Sequence, residues 1–414
     1  MMRVAVIGGG VIGLTTSYAL VRQGYRVDLI EQRDEVALET SFANGGQLSY
    51  RYVSPLADAG VPLQALSWML QGNAPLRFRP SLSPHQWQWC LRFLLACRRS
   101  VNQRNGEHLL RLALYSQSVL QDWREHHSLD DFSWRANGKL VIYRNAASWN
   151  KARSTIGESA HQRPLDADQC LELEPALEGL AGRFRGGIFA AGDEVGDCHQ
   201  FCRKLLRKLR GNPSFRLHAG QRVTGIPLER GRVRAVSLQD EELEVDQVVV
   251  AAGVGSVALL RPLGLRLPIY PLKGYSLTLP LADLTAGPET NVTDYDNKVV
   301  YARLGERLRV AAMVDIGSWD ATPDPDRLAG LRQLAQASFP RAGDYAAAET
   351  WAGMRPATPE GTPLLGASGI DNLWLNVGHG SLGFTLACGS AEVLTQLIGQ
   401  QQPAIALDGM QLAS

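Results

Sequence analysis

The chain has little of what marks a secreted, membrane-spanning or nucleic-acid-binding protein. Its 414 residues hold only six cysteines, Cys90, Cys97, Cys170, Cys198, Cys202 and Cys388, and no C-x-x-C pair. Such a scatter excludes a dense disulfide framework and fits a reducing compartment. Cys198 and Cys202 stand one helical turn apart beside His199. No further ligands with zinc spacing accompany them, so no metal is expected. Charge of either sign is not in excess: 42 Lys+Arg against 41 Asp+Glu leaves +1, which offers nothing for nucleic acid. No run reaches the roughly 18 uninterrupted apolar residues of a membrane span. The apolar run at Val4 is too short and too glycine-interrupted for a signal peptide. A cytoplasmic protein is expected, with peripheral contact on the inner face of the cell membrane left open. No internal repeat or low-complexity segment occurs, and the length predicts two or three domains at roughly 100–200 residues each.

What the chain does have is a glycine-rich start. Val4–Ile7 is an all-apolar run, the pattern of a strand buried on both faces. Gly8, Gly10 and Gly13 follow at G-x-G-x-x-G spacing, Leu14–Arg22 reads as a helix closed by Gly24, and Arg26–Ile30 is a second strand ending on Glu31. Gly8 permits the tight turn, Gly10 lets the backbone approach a pyrophosphate, and Gly13 lets helix and strand pack closely. The helix N-terminus presents N–H groups and a positive dipole end to phosphates, and Glu31 stands where a carboxylate accepts ribose hydroxyls. Val11 and Ile12 inside the turn, and Gln32 after the acid, belong to the same candidate dinucleotide site.

A small, polar, glycine-rich segment comes next, with Ser41, Asn44, Gly45, Gly46 and Gln47. Such residues cap a helix or hydrogen-bond a flat heterocycle; a short helix is expected at Asp34–Leu38 before them. From Ser54 to Asn145 prolines punctuate a stretch with Trp68, Met69, Leu70, Trp87, Trp89, Leu91, Phe93, Leu94 and Leu95, ending in Arg98 and Arg99. It reads as a buried cap helix, a subunit contact, or a helix lying in a bilayer interface. Glu107–His126 has a clearer 3.6-residue period, and Asn137-Gly138 signals a strand–turn–strand. Arg203–Arg210 (RKLLRKLR), basic at five of its eight positions, reads as the solvated face of a helix starting near Cys198. Val223 opens a hairpin region. Asp246–Ala252 is a buried strand running into Gly253, where nothing protrudes and a nucleotide can pass. Tyr270–Leu279, Lys298–Arg303 and Arg307–Val314 alternate with a two-residue period and suggest an antiparallel sheet. The last strand–loop–helix, Leu373–Val377, Gly378-His379-Gly380-Ser381-Leu382-Gly383, then Phe384, Thr385 and the helix to Ile398, puts another helix N-terminus where it stabilises developing negative charge. His379 stands where the first glycine of G-x-S-x-G belongs, which excludes a nucleophile elbow.

Taken together, GGGVIG with Glu31, ETSFANGGQ, GDEVGDC, IYPLKGYSLTL, WAGMRP with TPEGTP, and NLWLNVGHGSLGFTLACGS resemble the small subunit of FAD-dependent D-amino acid dehydrogenase, within the wider group of D-amino acid oxidase and glycine oxidase. The resemblance runs from Arg3 to about Ala404, with a departure over Gln47–Tyr52 that bears on the substrate pocket. It implies FAD as the dinucleotide and an α/β fold: a Rossmann-like FAD-binding domain (1–53, 180–262 and 345–414) interleaved with an α+β substrate domain on a mixed, largely antiparallel sheet (54–179 and 263–344). It implies oxidation of a D-amino acid to an imino acid, which water converts to a 2-oxo acid and ammonia, with electrons leaving for a quinone or other respiratory acceptor. A D-proline or cis-4-hydroxy-D-proline dehydrogenase, an oxygen-using oxidase and a non-catalytic FAD subunit remain alternatives; a partner subunit is also compatible. Hydride removal from Cα requires a clamped carboxylate and a neutral amine. Arg355 is the expected bidentate clamp, with Tyr275 and Tyr52 as second contacts and Lys273 near the flavin or structural.

Overall fold

The computed structural model describes residues 1–62, 74–156 and 161–412. Trp68, Met69 and Leu70 lie outside the described residues. Two sheets organise the chain. The first has six strands in the order Leu364–Ala367, Leu373–Val377, Gln247–Val250, Arg3–Ile7, Arg26–Ile30 and Phe215–His218. All pair in parallel except the Leu364–Ala367 edge. These strands are continuous apolar runs because both their faces are covered. On one side Val4, Val6, Leu29 and Val249 pack with the helices Val11–Arg22, Arg99–His127, Cys198–Arg210 and Gly383–Ile398. On the other, Ala5, Val248 and Val250 meet Ile226, Val236, Leu243 and Leu260.

The second sheet runs Glu349–Ala357, Tyr270–Pro280, Arg307–Ile316, Val299–Leu304, Asn291–Asp294, Lys139–Tyr143, Gly186–Ala190 and Gln162–Asp166, with Leu76–Phe78 also on Arg307–Ile316. It is mixed and mostly antiparallel. Strand alternation divides its residues. Leu277, Leu279, Val292, Tyr301, Leu308 and Val310 form a core beneath the helix Pro325–Ser338, joined by its Leu328 and Leu331. Thr293, Val300, Ala311 and Trp351 face a large cavity shared with the first sheet's domain.

Several local expectations change. Asp34–Leu38 is a turn: Ala37 takes φ +61° and its N–H donates to the Gly9 carbonyl, which holds it out of a helix. Gly138 has φ +70°, but the residues before it form no hairpin arm; Arg135 bridges Val195, and Lys139–Tyr143 pairs with Asn291–Asp294 and Gly186–Ala190. Gly186–Ala190 and Glu349–Ala357, assigned above to the nucleotide part, belong to the second sheet. Arg99–His127, assigned to the substrate part, packs into the nucleotide domain's core through Leu109, Leu112, Leu120 and Trp123. The period of a helix reveals its buried face and not which neighbour buries it.

Candidate active site

One cavity of 1430 Å³ runs between the two sheets. Its nucleotide end is built on the first turn. Gly8 has φ +110°, and a Cβ there would meet the Ala251 carbonyl oxygen at 2.6 Å; a Cβ on Gly13 would overlap the Gly8 carbonyl oxygen. The close strand–helix approach therefore requires glycine at both positions. Gly10 caps the helix with no side chain to offer, and the Val11 N–H donates to Ser41 Oγ (3.0 Å). Buried Glu31 accepts from the Gly9 N–H through Oε2 (2.7 Å) and from the Arg33 N–H through Oε1 (2.9 Å), which fixes the carboxylate at the cavity edge. Gln32, Val223, Ala252 and Gly253 continue this wall, as do Gly8, Gly10, Val11 and Ile12. Gly13 does not line it and acts through packing alone.

Ser41, Asn44, Gly45, Gly46 and Gln47 line the middle of the cavity. Asn44 Oδ1 accepts from the Gly46 N–H (3.0 Å), and the Gln47 amide is tied to the second sheet by donation to the Val292 carbonyl (3.1 Å) and acceptance from Thr293 (3.2 Å). Opposite stand Gly378, His379, Gly380, Ser381, Leu382, Gly383, Phe384 and Thr385. No side chain caps the helix Gly383–Ile398 at its N-terminus, so its first N–H groups have no side-chain partner there. His379 is fully buried, and desolvation drops its imidazole to about 3. Its Nε2 lies 3.0 Å from Ser390 Oγ, whose own proton goes to the Leu386 carbonyl. The neutral ring therefore donates from Nε2 and acts as a brace for this loop.

At the substrate end, Arg355 stands half-buried on the strand Glu349–Ala357, at the wall of the cavity. Burial lowers its guanidinium to about 10. Nη1 donates to the carbonyl of Met313 (2.9 Å), a residue held at φ +65°. Among the described residues no carboxylate pairs with it, Glu360 included. A desolvated, uncompensated guanidinium facing a cavity is costly unless an anion joins it. Tyr52 lines the same space, with its hydroxyl bonded to Tyr143 and burial pushing its ionisation well up.

Tyr275 also borders the cavity, with its polar end already engaged. Its ring belongs to the core beneath the sheet, and its hydroxyl donates to Asp315 Oδ2 (2.8 Å). Lys273 donates to the Thr322 carbonyl, tying down the loop that carries Trp319 and Asp320 along the cavity. One residue was missed: Lys139, at the start of a strand, lines the cavity with Nζ donating to Ser49 Oγ (2.8 Å) and lying 4.6 Å from the Tyr52 ring centroid.

A mostly parallel sheet with a glycine turn shares one cavity with a mixed sheet that presents a cation unpaired among the described residues, the arrangement of a dinucleotide-dependent oxidoreductase. Residues 3–397 match the FAD dependent oxidoreductase family, DAO, and the chain belongs to that family. It is 56% identical over 408 residues to "D-amino acid dehydrogenase 2" of Pseudomonas aeruginosa, covering 99% of this chain and 97% of that one. It is 45% identical over 417 residues to "D-amino acid dehydrogenase 2" of Ralstonia nicotianae, covering 98% of each. Among solved structures its fold is similar to glycine oxidase from Geobacillus kaustophilus (TM-score 0.75, 20% identity, 100% of this chain and 99% of that one). It is also similar to iminodiacetate oxidase from Chelativorans sp. BNC1 (TM-score 0.74, 21% identity, 99% and 98%). FAD fits the residues present: the glycine turn leaves room for a pyrophosphate, Glu31 for a ribose, and the uncapped helix for the anionic end of a reduced ring.

Proposed function

We propose that this protein is an FAD-dependent D-amino acid dehydrogenase, converting a D-amino acid to a 2-oxo acid and ammonia and passing the electrons to a quinone or similar acceptor. The observation that carries the reading is Arg355, a desolvated guanidinium with one backbone hydrogen bond and no counter-ion among the described residues, beside a cavity continuous with the nucleotide turn. It supplies a two-pronged grip for an α-carboxylate. The relatives' names support the substrate configuration. FAD, when bound, supplies the two-electron acceptor for the Cα–H bond. Glu31, Ser41 and the glycine turn would hold its nucleotide half, the segments Asn44–Gln47 and Gly378–Thr385 would hold its ring, and Arg355 with Tyr52 would position the substrate. The test is an anaerobic panel of D- and L-amino acids read by bleaching of the flavin near ~450 nm. Bleaching by D-amino acids with weak peroxide formation in air supports the dehydrogenase. No bleaching by any of them removes the reading, and brisk peroxide formation turns it into an oxidase.

The acceptor reading has its own support on the surface. Between Asp58 and Glu107 the chain has no acidic residue and six arginines, Arg77, Arg79, Arg92, Arg98, Arg99 and Arg104. Within that stretch the helix Pro84–Ala96 buries Trp89 but exposes Trp87 (52%), Leu91 (60%), Leu94 (52%) and Leu95. Leu82 before it is fully exposed. His85 of this helix lies 6.5 Å from Trp319, whose loop lines the cavity. Apolar and aromatic side chains flanked by arginines suit an anionic bilayer surface, and we propose that this face meets the inner face of the cell membrane, where a quinone is dissolved. Among the described residues one helix, Gly380–Ile398, has the length and hydropathy of a membrane span, and it is mostly buried in the core. All six cysteines are free thiols.

A further inference from the structure

A D-amino acid reaches the cavity as an ammonium, and its Cα–H bond cannot be broken with loss of a hydride until the nitrogen has a free lone pair. Something must take that proton. Resting on the reading above, we propose that Lys139 is the proton acceptor: its neutral Nζ takes one proton from the substrate ammonium, giving a substrate amine and a lysine ammonium, and returns it to solvent after the imino acid leaves. Only an N–H bond breaks and an N–H bond forms in this step, and charge is conserved.

Most other acids and bases on the cavity wall are already engaged. Glu31 is committed to the Gly9 and Arg33 N–H groups, Glu39 to the Arg33 guanidinium, and Asp320 to Thr322. His379 is braced on Ser390. Tyr52 is bonded to Tyr143. Two lysines remain on the wall, Lys139 and Lys298. Burial lowers the Lys298 ammonium as well, but its Nζ sits 3.6 Å from the Tyr295 ring centroid and three carboxylates, Asp296, Asp58 and Asp294, oppose the loss of its charge, where Lys139 has one.

Lys139 differs. It is almost wholly buried, and its hydrogen bond is to a neutral hydroxyl, Ser49 Oγ. The groups packed around it are Ser49 and Tyr52 from the Gln47–Tyr52 segment, Asn291 from the next strand, and Asp193 beyond. Among the described residues Asp193 is the one acid acting on it; its Oδ1 accepts from the Tyr50 and Arg51 N–H groups (3.0 and 3.1 Å), its Oδ2 is buried without a hydrogen bond, and it forms no ion pair with Nζ. Desolvation therefore wins and brings the Lys139 ammonium down to about 8, only partly offset by Asp193. A general base works best when its affinity for protons is close to the working pH. Ser49 is also placed by its N–H donating to Thr385 Oγ1 (3.2 Å), at the first turn of the helix that faces the cavity. Lys139 is thus fixed at the same end of the cavity as the ring-binding loop, on the sheet that carries Arg355.

The test compares the holoenzyme with Lys139→Met and Lys139→Arg. The first readout needs no turnover: affinity for propionate, a carboxylate without an amine, measured by calorimetry across pH 6–10. In the parent it weakens as pH rises through about 8, because the Lys139 positive charge disappears; in both variants that step is absent. The second is the anaerobic rate of flavin bleaching by a D-amino acid. The parent rate rises through the same pH, and Lys139→Met lowers it by about 100-fold or more at pH 8, the usual scale for a lost general base. Lys139→Arg, which keeps the charge and gives up no proton in this range, is equally slow while retaining its FAD and propionate binding. Persistence of both pH steps in Lys139→Met overturns the assignment. If the parent itself is not bleached by any D-amino acid, the dehydrogenase reading fails instead, and the propionate titration still reports whether Lys139 titrates in the cavity.

Discussion

The guanidinium of Arg355 occupies the space that a side chain on Gly274 would fill: a Cβ built there falls inside contact distance of Cζ and Nη2. The two residues lie on paired strands, where Gly274 faces Gly353 and Leu272 faces Arg355. The missing side chain is thus what lets the arginine lie across its neighbour strand and reach the Met313 carbonyl. Gly274→Ala is expected to displace the guanidinium, raising KM for the amino acid at least tenfold while FAD content and melting temperature change little. Unchanged KM would show that the guanidinium has other room.

Removing the arginine itself is more severe. Arg355→Ala should cost about 2–5 kcal/mol in kcat/KM, the scale for truncating one partner of a buried charge pair. Arg355→Lys should recover only part, since an ammonium cannot grip a carboxylate with two parallel bonds. Steady-state kinetics with the best substrate of the panel, alongside FAD absorbance, checks both.

At the other end of the cavity, Gly13→Ala drives a methyl group into the Gly8 carbonyl oxygen. The strand and helix must separate, which spoils the turn that faces the pyrophosphate. Purified protein is expected to be colourless or to lose flavin on dialysis, with a melting temperature several degrees lower. Retention of a full complement of FAD would contradict the role given to that turn.

Acid should weaken the nucleotide domain at one place. Burial of Asp28 opposes its charge, but hydrogen bonds from His218 Nε2 (2.8 Å) and Arg3 Nε (2.6 Å) outweigh it and bring the carboxyl to about 2. The unfolded carboxyl takes its proton nearer the ordinary value, so this stabilisation is complete above about pH 4 and disappears as pH falls towards about 2. Asp28→Asn should lower stability by about 2 kcal/mol at pH 7. Denaturant melts should show the gap to the parent closing as pH falls towards 2.

For the exposed helix, Leu91→Glu with Leu94→Glu should abolish co-sedimentation with phosphatidylglycerol vesicles and slow turnover with a lipid-dissolved quinone, leaving rates with a water-soluble dye intact. Parent binding should weaken with salt, because arginines supply part of it. If the parent ignores vesicles and self-associates in a way the double variant loses, the face is a subunit contact.

How much of this could be read from the chain depends on how local each feature is. The strand–turn–helix–strand around Gly8–Glu31 is written in consecutive residues and appears as read. Lys139 was overlooked because KLVIY reads as an ordinary strand beginning with a solvated lysine. What buries it is Ser49 and Tyr52, some ninety residues earlier in the chain. Tyr275 stands on the cavity wall, but the partner of its hydroxyl, Asp315, lies forty residues further on and is set by strand pairing that the KGYSL string does not show. The turn at Asp34–Leu38 depends on Ala37 adopting a left-handed backbone, a conformation alanine rarely announces. Ser41, Asn44 and the Gly378–Thr385 loop were legible because small polar and glycine residues cluster where strands end.

The flavin cradle has its two halves written more than three hundred residues apart, at Gly8 and at Gly383. While the ribosome is still making the intervening polypeptide, the early turn exists without the loop and helix that supply another part of the cavity wall. Pigment capture must therefore wait until synthesis has passed Ile398, and the nascent chain carries an unfilled crevice for most of its emergence.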